Sequence, residues 1–427
     1  MVSKEKRNIL LSAIACSPLL GSEDGVGWHW AIELDRLGHK VVVLTRTRFR
    51  DDIEQWLIDN PGSQLKFRYL DVFPGINYNG CPGLMSYAYI HLWQALAVPV
   101  AKRIVAEESI NLIHHVTFAG IRLPSFLGGL GVPFIFGPVG GGEQTPPALL
   151  DAFPFKSRLK ERLRNLSNSL VRFDPMMRYT MANATIIALT TKDSVPVIPA
   201  EYSKKILISS TIGVESPPAA AQRVRDGGPV VLYAGRFVHW KGMQLGIQAF
   251  AQLRAQVPDA RLIMVGDGPA AQAWRKLGAE CGIADAIVWI NWVSQDELVQ
   301  LYRKADLFLF PSLHDSGGMV VLEAASHGLP ILCLDIGGPG EMVGPQVGRQ
   351  VSTKGLTELQ VVADLAQALV SLVSDREALH ALGDSARDWA ARQTWQDRVS
   401  NFYELCNPIL INNRFDLCDN SIDAKAG

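Results

Sequence analysis

The sequence predicts an α/β protein with two doubly wound parallel sheets, one in each half of the chain. Its 427 residues are too many for one ordinary hydrophobic core. Both halves repeat short apolar runs, glycine-rich loops and helix-length segments in the order strand, loop, helix, strand. Residues 214–229 are rich in Pro, Ala, Gly and charge, as is typical of a linker between domains.

In the first half, a strand at 8–15 is followed by the loop 18–27 (PLLGSEDGVG) and a helix over 28–37. The loop lacks the Gly-X-Gly-X-X-Gly pattern, so no redox dinucleotide is predicted. The segment 85–106 is apolar all round, and we expect a helix packed inside. A second helix is predicted at 51–60, and further strands at 40–45, 66–72, 111–115, 132–136, 185–189 and 206–209.

In the second half, apolar runs predict strands at 230–234, 261–265, 287–290, 307–310 and 330–335. A bare glycine loop is predicted at 337–340, and helices at 243–256, 271–281, 296–304, 319–327, 359–374, 376–391 and 395–410. We therefore predict a first domain over 1–213, a second over 230–394, and a last helix, 395–413, that comes after the second sheet is complete.

The composition excludes several classes of function. A net charge of −1 gives no reason to expect a nucleic acid as partner. The six cysteines are scattered without a Cys-X-X-Cys pair, which argues against a zinc site or a disulfide framework and suits a reducing cytosol. We expect no secretory signal, and no apolar stretch is long enough for a membrane-spanning helix.

Charged residues and glycines meet at predicted strand ends of the second half. Arg236 and Lys241 follow the strand 230–234 between two glycines, and two cations beside a helix N-terminus favour a phosphate. Asp315 lies in the loop before the helix 319–327, and Glu323 lies in the second turn of that helix. Because ligands of open α/β sheets bind outside the carboxyl ends of strands, we expect both acids to border a site.

The stretch from Asp315 to Glu323, DSGGMVVLE, resembles the signature of family 4 glycosyltransferases, which have the GT-B fold. That signature has two carboxylates separated by seven residues with a glycine-rich loop between them; the family usually has Glu first, so Asp315 is a departure. GRFVHWKG at 235–242 resembles the family's Gly-Arg…Lys-Gly element. The loop 18–27 and GPVGGGE at 137–143 are also similar to family loops. The resemblance covers nearly the whole chain.

The resemblance implies two Rossmann-like domains facing each other across a cleft, with the last helix returning to the first domain. It also implies metal-independent, retaining transfer of a sugar from a UDP- or GDP-sugar to a glycan, lipid-linked or small-molecule acceptor, with no cofactor. In this interpretation Arg236 and Lys241 hold the donor diphosphate and Asp315 contacts the sugar. Glu323 accepts hydrogen bonds from both ribose hydroxyls. His115, with His114 as the alternative, approaches the sugar. Further substrate contacts are expected from Gly25, Gly27, Glu143, Gly235, Gly266, Trp292, Val293, Gly317, Gly318, Met319 and Val320.

Two other functions stay open at this point: a GT-B-fold nucleotide-sugar epimerase and a non-catalytic nucleotide-sugar-binding protein. The epimerase would need an acid/base set in the N-terminal cleft, where only the histidine pair is found. The sequence leaves open the donor sugar and base, the acceptor and linkage, and the oligomeric state.

Residues 153–179 are amphipathic and basic, with leucines at 159, 163, 166 and 170 at helical spacing. Two interpretations fit. Either this helix lies on an anionic membrane, or it packs its leucines on the core and keeps its charges in water. The expected location is the cytoplasm, with the inner membrane face as an option.

Overall fold

The computed structural model describes residues 6–73, 84–215 and 227–423. The predicted linker at 214–229 falls mostly outside the described residues. The chain divides into two compact units. Unit 1 contains Met1–Gly142, Asn168–Ile212 and Trp395–Gly427, and unit 2 contains Glu143–Ser167 and Gly213–Thr394.

Unit 1 is built on a parallel sheet in the order β3-β2-β1-β4-β5-β6-β7. The strands are β1 Asn8–Ser12, β2 Lys40–Thr45, β3 Lys66–Tyr69, β4 Leu112–His115, β5 Phe134–Val139, β6 Ile186–Leu189 and β7 Ile206–Ile208. β1, β4, β5 and β6 are buried almost throughout, as continuous apolar runs in a sheet covered on both faces must be.

Helices of unit 1 connect and cover these strands. They are α1 Ser22–Arg36, α2 Arg50–Asp59, α3 Leu84–Glu107, α5 Pro175–Asn183 and α13 Trp395–Asp423, while α4 Phe155–Leu170 begins in unit 2 and ends in unit 1. Trp93, Ala97, Ala101 and Ile104 of α3 belong to the apolar core beneath the sheet. Its Met85, Tyr87, Leu92 and Leu96 are exposed, so the prediction of a fully buried helix is wrong.

Unit 2 is built on a second parallel sheet, in the order β10-β9-β8-β11-β12-β13. Its strands are β8 Val230–Ala234, β9 Arg261–Val265, β10 Ile287–Ile290, β11 Leu307–Phe310, β12 Ile331–Leu334 and β13 Gly348–Val351. The helices are α6 Met243–Gln256, α7 Ala271–Glu280, α8 Gln295–Lys304, α9 Met319–Ser326, α10 Gly337–Met342, α11 Glu358–Val373 and α12 Arg376–Ala390. The predicted fold class, two doubly wound α/β domains, is confirmed.

The structure differs from the sequence predictions at four further places. Helix α1 begins at Ser22, so Gly25 and Gly27 lie in a helix and not in a loop. The glycines at 337–340 open the short helix α10, and the edge strand β13 was not predicted. Glu143–Ser167 groups with unit 2, although the first domain was predicted to run from 1 to 213.

Candidate functional site

The candidate site of unit 2 lies where its strand order reverses. β8 pairs with β9 on one side and with β11 on the other, so the chain leaves β8 and β11 in opposite directions. Ligands of open α/β sheets bind in the crevice that such a reversal creates at the carboxyl ends of the strands. The two loops at this point are 235–242 after β8 and 311–318 after β11.

The two loops touch at Gly242, which caps α6 in the left-handed conformation with φ +74°. A Cβ at this position would lie 1.8 Å from the carbonyl oxygen of Pro311, so only glycine fits. The contact holds the turn that carries Lys241 against the loop that carries Asp315.

Lys241 and Asp315 form an ion pair in this crevice. Their side chains are only 13% and 15% exposed. The Lys241 ammonium also lies 4.6 Å from the centroids of both the Trp240 and the Phe310 rings. The other carboxylate oxygen of Asp315 accepts the backbone N–H of Gly318 at 3.1 Å, just before α9. The cation and the first acid of the two predicted motifs therefore meet directly.

Arg236 is exposed, and its guanidinium makes no ion pair with any residue that the structure describes. Its carbonyl oxygen accepts a hydrogen bond from the buried Tyr233 hydroxyl at 3.0 Å, which fixes the turn. The guanidinium thus remains available to an anion, whereas the Lys241 ammonium is already balanced by Asp315.

Glycines let the strand ends approach each other beside this pair. Gly235 and Gly266 have φ +150° and +132°, and a Cβ on Gly266 would lie 2.1 Å from the Gly235 carbonyl oxygen. Gly318 is the N-cap of α9 with φ +68°. Met319 and Val320 are the first two residues of α9, so their N–H groups point out of the helix N-terminus, where an anion is favoured. Gly317 lies in the same loop.

Glu323 lies in α9, half-buried, and its carboxylate accepts the Tyr302 hydroxyl at 3.2 Å. Burial raises the pKa of Glu323 to about 7, against a smaller lowering effect of the Tyr302 hydrogen bond. Near neutral pH this carboxyl is therefore divided between its acid and carboxylate forms. Trp292 and Val293 follow β10; Trp292 is 81% exposed and Val293 is partly buried.

Glu143 is fully buried, and its carboxylate accepts the Ser316 hydroxyl at 2.7 Å. The predicted substrate contact of Glu143 assumed an accessible side chain. The structure corrects that assumption, because the side chain is buried and its carboxylate binds the residue next to Asp315.

In unit 1 the two histidines end β4 and have different partners. His114 is buried, with Nε2 2.6 Å from the Gly137 carbonyl and Nδ1 2.9 Å from the Tyr403 hydroxyl. A carbonyl can only accept, so Nε2 carries the proton and Nδ1 accepts from Tyr403. Burial lowers the pKa of His114 to about 4. We therefore assign His114 to the core of unit 1, which corrects its candidacy for the sugar.

His115 lies at the reversal point of the unit 1 sheet, since β4 pairs with β1 there. Its Nδ1 is 3.1 Å from the hydroxyl of Ser12, the last residue of β1. Burial, followed by the charge of His114, lowers the pKa of His115 to about 3, so the ring is neutral at ordinary pH. His115 is as fully buried as His114, so its predicted approach to the sugar stays a prediction.

Gly25 and Gly27 serve packing. A Cβ on Gly25 would lie 2.5 Å from the Leu20 carbonyl oxygen, and one on Gly27 would lie 2.2 Å from that of Ala15. These glycines let α1 pack closely against the loop between β1 and α1, which explains them without a ligand.

Three residues of unit 2 were not predicted from the sequence: Tyr302, His314 and Glu161. Tyr302 supports Glu323, and His314 hydrogen-bonds Glu161. His314 directly precedes Asp315, and Glu161 is a lone acid in a basic helix; either fact could have drawn attention to them. Within the part of the chain that the structure describes, no three His, Cys, Asp or Glu side chains cluster as metal ligands would.

Residues 219–389 match the family model described as glycosyl transferases group 1. This region is therefore similar to group 1 glycosyl transferases. The Arg236–Lys241 turn, Asp315 and Glu323 all lie inside it, and the resemblance predicted from these motifs is confirmed for the region.

Two relatives extend the comparison. The 2-deoxystreptamine glucosyltransferase of Streptomyces kanamyceticus is 29% identical over 184 residues, which are 42% of this chain and 46% of that protein. A GDP-mannose-dependent alpha-(1-6)-phosphatidylinositol monomannoside mannosyltransferase of Mycobacterium tuberculosis is 32% identical over 180 residues, 40% of this chain and 45% of that protein. The match thus spans less than half the length of these relatives.

The fold likeness reaches beyond the group 1 domain. Sucrose-phosphate synthase from Thermosynechococcus elongatus superposes with a TM-score of 0.63 at 18% identity, covering 95% of this chain and all of that one (100%). The predicted GT-B fold is therefore shared along nearly the whole chain.

Proposed function

We propose that the protein is a glycosyltransferase that moves a sugar from a nucleotide-sugar to an acceptor hydroxyl. The observation that carries the proposal is the Lys241–Asp315 pair at the reversal point of the unit 2 sheet, beside the exposed Arg236 and the N-terminus of α9. Cations and helix N–H groups at one strand edge suit a diphosphate. The group 1 family model over 219–389 supports the same class of reaction.

In this proposal the donor diphosphate binds to Arg236, Lys241 and the first N–H groups of α9. These groups are preorganised, and they stabilise the transition state more strongly than the bound donor because negative charge grows on the leaving phosphate. They take the place that a divalent metal has in other transferases, so we propose a metal-independent reaction.

Asp315 and Glu323 take different parts of the donor. Glu323, on the helix, accepts hydrogen bonds from the two ribose hydroxyls, and Asp315, on the loop before it, contacts the sugar. The bond from the sugar's anomeric carbon to the phosphate oxygen breaks while the acceptor oxygen bonds to the same carbon. The acceptor proton passes to the leaving phosphate, so no separate general base is needed, and we propose that the anomeric configuration is retained.

Kinetics of Asp315 variants test this assignment. Asp315→Ala should chiefly lower kcat, because a contact near the breaking bond stabilises mainly the transition state. Asp315→Glu restores the usual family residue and should keep appreciable activity. Wild-type kcat in Asp315→Ala, with donor varied at saturating acceptor, would show that this acid is only a loop residue.

The donor and the acceptor are proposed by chemical class. One relative is GDP-mannose-dependent by name and another is a glucosyltransferase, so we propose a UDP- or GDP-sugar donor and a glycan, lipid-linked or small-molecule acceptor. A panel of UDP-, GDP- and ADP-sugars, read by thermal shift and then by donor hydrolysis, tests this. Neither the epimerase nor the non-catalytic binding protein has support among the relatives. Binding of a donor without any turnover would favour the latter.

We further propose that α4 rests on an anionic membrane, at the cytoplasmic face. Leu159, Leu163, Leu166 and Leu170 are 49–58% exposed, so the alternative in which they pack on the core is wrong. Lys156, Lys160 and Arg162 are exposed on the same helix and would meet anionic headgroups. Among the described residues, no helix has the length and apolar character that crossing a membrane requires.

A further inference from the structure

The segment Glu143–Ser167 has a structural role that its sequence did not indicate. It groups with unit 2, although the chain before and after it belongs to unit 1. Its two buried acids, Glu143 and Glu161, reach the loop that carries Asp315. They bind the residues immediately before and after Asp315.

On one side of Asp315, the His314 ring stacks on Trp240 with centroids 4.5 Å apart and planes at 17°. Its Nε2 is 3.2 Å from a carboxylate oxygen of Glu161. Trp240 is the neighbour of Lys241, and its carbonyl oxygen accepts the N–H of Leu313 at 2.8 Å. One ring contact and one backbone bond therefore join the loop of Asp315 to the turn of Lys241.

Glu161 is held in turn by its own segment. Its carboxylate accepts the Thr145 hydroxyl at 3.0 Å and Nη1 of Arg164 at 3.2 Å. Burial works to raise the pKa of Glu161, but the hydrogen bond and charge of His314, with Arg164 and Thr145, outweigh it and lower the pKa. Burial, the largest effect, lowers the pKa of His314 although Glu161 works to raise it, and the ring donates its Nε2–H to the Glu161 carboxylate.

On the other side of Asp315, the Ser316 hydroxyl donates to Glu143 at 2.7 Å. Arg164 also donates to the carbonyl oxygen of Glu143 at 2.8 Å, so the same guanidinium supports both acids. The side chains of residues 314, 315 and 316 bind Glu161, Lys241 and Glu143, respectively. Of these three partners, only Lys241 is a candidate ligand of the nucleotide-sugar.

We propose that Glu143–Ser167 is a positioning clamp for Asp315, in which Glu161 acts through His314 and Glu143 acts through Ser316. The clamp fixes the loop 312–318 so that Asp315 meets Lys241 and Gly318 caps α9. Its effect on sugar transfer rests on the proposed function, whereas its effect on the loop does not. Glu161 is therefore a positioning residue and contacts no substrate.

Hydrogen–deuterium exchange of the full chain tests the clamp without any substrate. Glu161→Ala and His314→Phe should speed exchange in peptides covering 312–321, including the Gly318 N–H that Asp315 holds. His314→Phe keeps an aromatic ring on Trp240 and removes only the hydrogen bond. Glu161→Gln keeps an acceptor oxygen for His314 and should restore most of the protection. Glu377→Ala, an exposed glutamate of α12, is the matched control and should change nothing.

A double-variant cycle tests whether Glu161 acts through His314. A hydrogen bond to a charged group is enough to change a binding equilibrium about ten-fold. We expect Glu161→Ala and His314→Phe each to weaken UDP or GDP binding about ten-fold, and the double variant to be no weaker than either, because both remove the same bond. Additive losses would overturn the coupling.

The outcomes separate this inference from the proposed function. Unchanged exchange over 312–321 in Glu161→Ala and Glu143→Ala would overturn the clamp, whatever the enzyme does. A wild-type protein that binds no nucleotide, with exchange altered as expected, would leave the clamp standing and overturn the proposed function. If Glu161→Ala fails to fold, exchange over 312–321 and nucleotide binding are compared between Glu161→Gln and His314→Phe, which disrupt the structure less. A fall in Tm with unchanged exchange and binding would mean a structural role only.

Discussion

At the scale of single residues, the raised pKa of Glu323 predicts how the free energy of unfolding depends on pH. An unfolded glutamate has a pKa of about 4.3, and burial in the fold raises that of Glu323 to about 7. Between these values the folded protein binds more protons at this site, so its free energy of unfolding should fall as pH rises from about 4 to about 7. Glu323→Gln removes the titration and should flatten this part of the stability profile, measured by urea denaturation at each pH.

The same carboxyl should make nucleotide binding depend on pH. Ribose hydroxyls donate to the ionised form, so wild-type affinity for UDP or GDP should rise as pH increases through about 7. Glu323→Gln should bind more weakly and lose this rise. The comparison by isothermal titration cancels the titration of the phosphates, which both proteins share. Parallel pH profiles of the two proteins would place the ribose elsewhere.

Arg236 and Lys241 should differ when each is removed. Arg236→Ala should weaken nucleotide binding by about 1.5–3 kcal/mol, the value of one charge-assisted contact. Lys241→Ala should weaken it at least as much and also lower the free energy of unfolding by about 1–3 kcal/mol, because Asp315 is left without its cation. That cost is below the value for a fully buried pair since both side chains retain some exposure.

Calorimetry and chemical denaturation on both variants check this difference. Lys276→Ala, whose side chain is 77% exposed, removes a surface cation and should change neither quantity. Wild-type nucleotide affinity in Lys241→Ala would contradict the assignment.

The sequence drew attention to candidate ligands of the site and not to the residues that support them. Arg236, Lys241, Asp315 and Glu323 were chosen as candidates because they lie near the ends of apolar strands beside glycines, a pattern that is local in the chain. Glu161 could not be found this way, because its partner His314 is 153 residues distant. His114 and His115 are adjacent in sequence but point to opposite faces of β4, and spacing alone could not tell the core residue from the candidate.

At the scale of elements, helix α4 predicts membrane binding that depends on charge. Replacing Lys160 and Arg162 by Gln should weaken binding to anionic vesicles by about 2 kcal/mol, at about 1 kcal/mol per basic residue near the surface. Leu163→Glu should weaken it further by removing buried apolar area. Leu405→Glu, an exposed leucine of α13, serves as the control. Co-sedimentation with anionic and with zwitterionic vesicles measures both effects, and equal binding of all four proteins would refute the membrane proposal.

Elements were predictable where hydrophobic pattern and position agreed. β8, β9, β10 and β11 have the predicted bounds because each is a short apolar run closed by glycine, proline or a polar loop. β13, GRQV, was missed because its two central residues are polar and exposed at the sheet edge. The glycines of α10 indicated a loop, yet Gly337–Met342 is helical, with three of its residues buried against neighbouring chain.

At the scale of the whole molecule, the reaction should not need a metal ion. The positive charge at the unit 2 site comes from protein side chains and a helix N-terminus, so turnover in excess EDTA should stay near its untreated value. Release of nucleotide from the donor, measured with and without EDTA, checks this. Loss of activity that magnesium or manganese restores would contradict the prediction.

The order of segments along the chain does not predict which unit every segment belongs to. The last helix, from Trp395, groups with unit 1. Its return to the first domain was implied only by the resemblance to GT-B enzymes. Nothing local in Glu143–Ser167 indicates that it groups with unit 2. Its two acids also bind His314 and Ser316, which lie far along the chain, and only the folded structure brings these residues together.

The pairing of Lys241 with Asp315 also affects how fast an anionic donor arrives. The turn and loop bring two cations and one carboxylate, so Asp315 cancels much of the attraction that the cations would exert at a distance. Such attraction is screened over roughly 10 Å at ordinary ionic strength. The association rate of a nucleotide-sugar should therefore change little with salt. Asp315→Asn should raise this rate at low salt and make it fall steeply as salt is added, which stopped-flow mixing would detect.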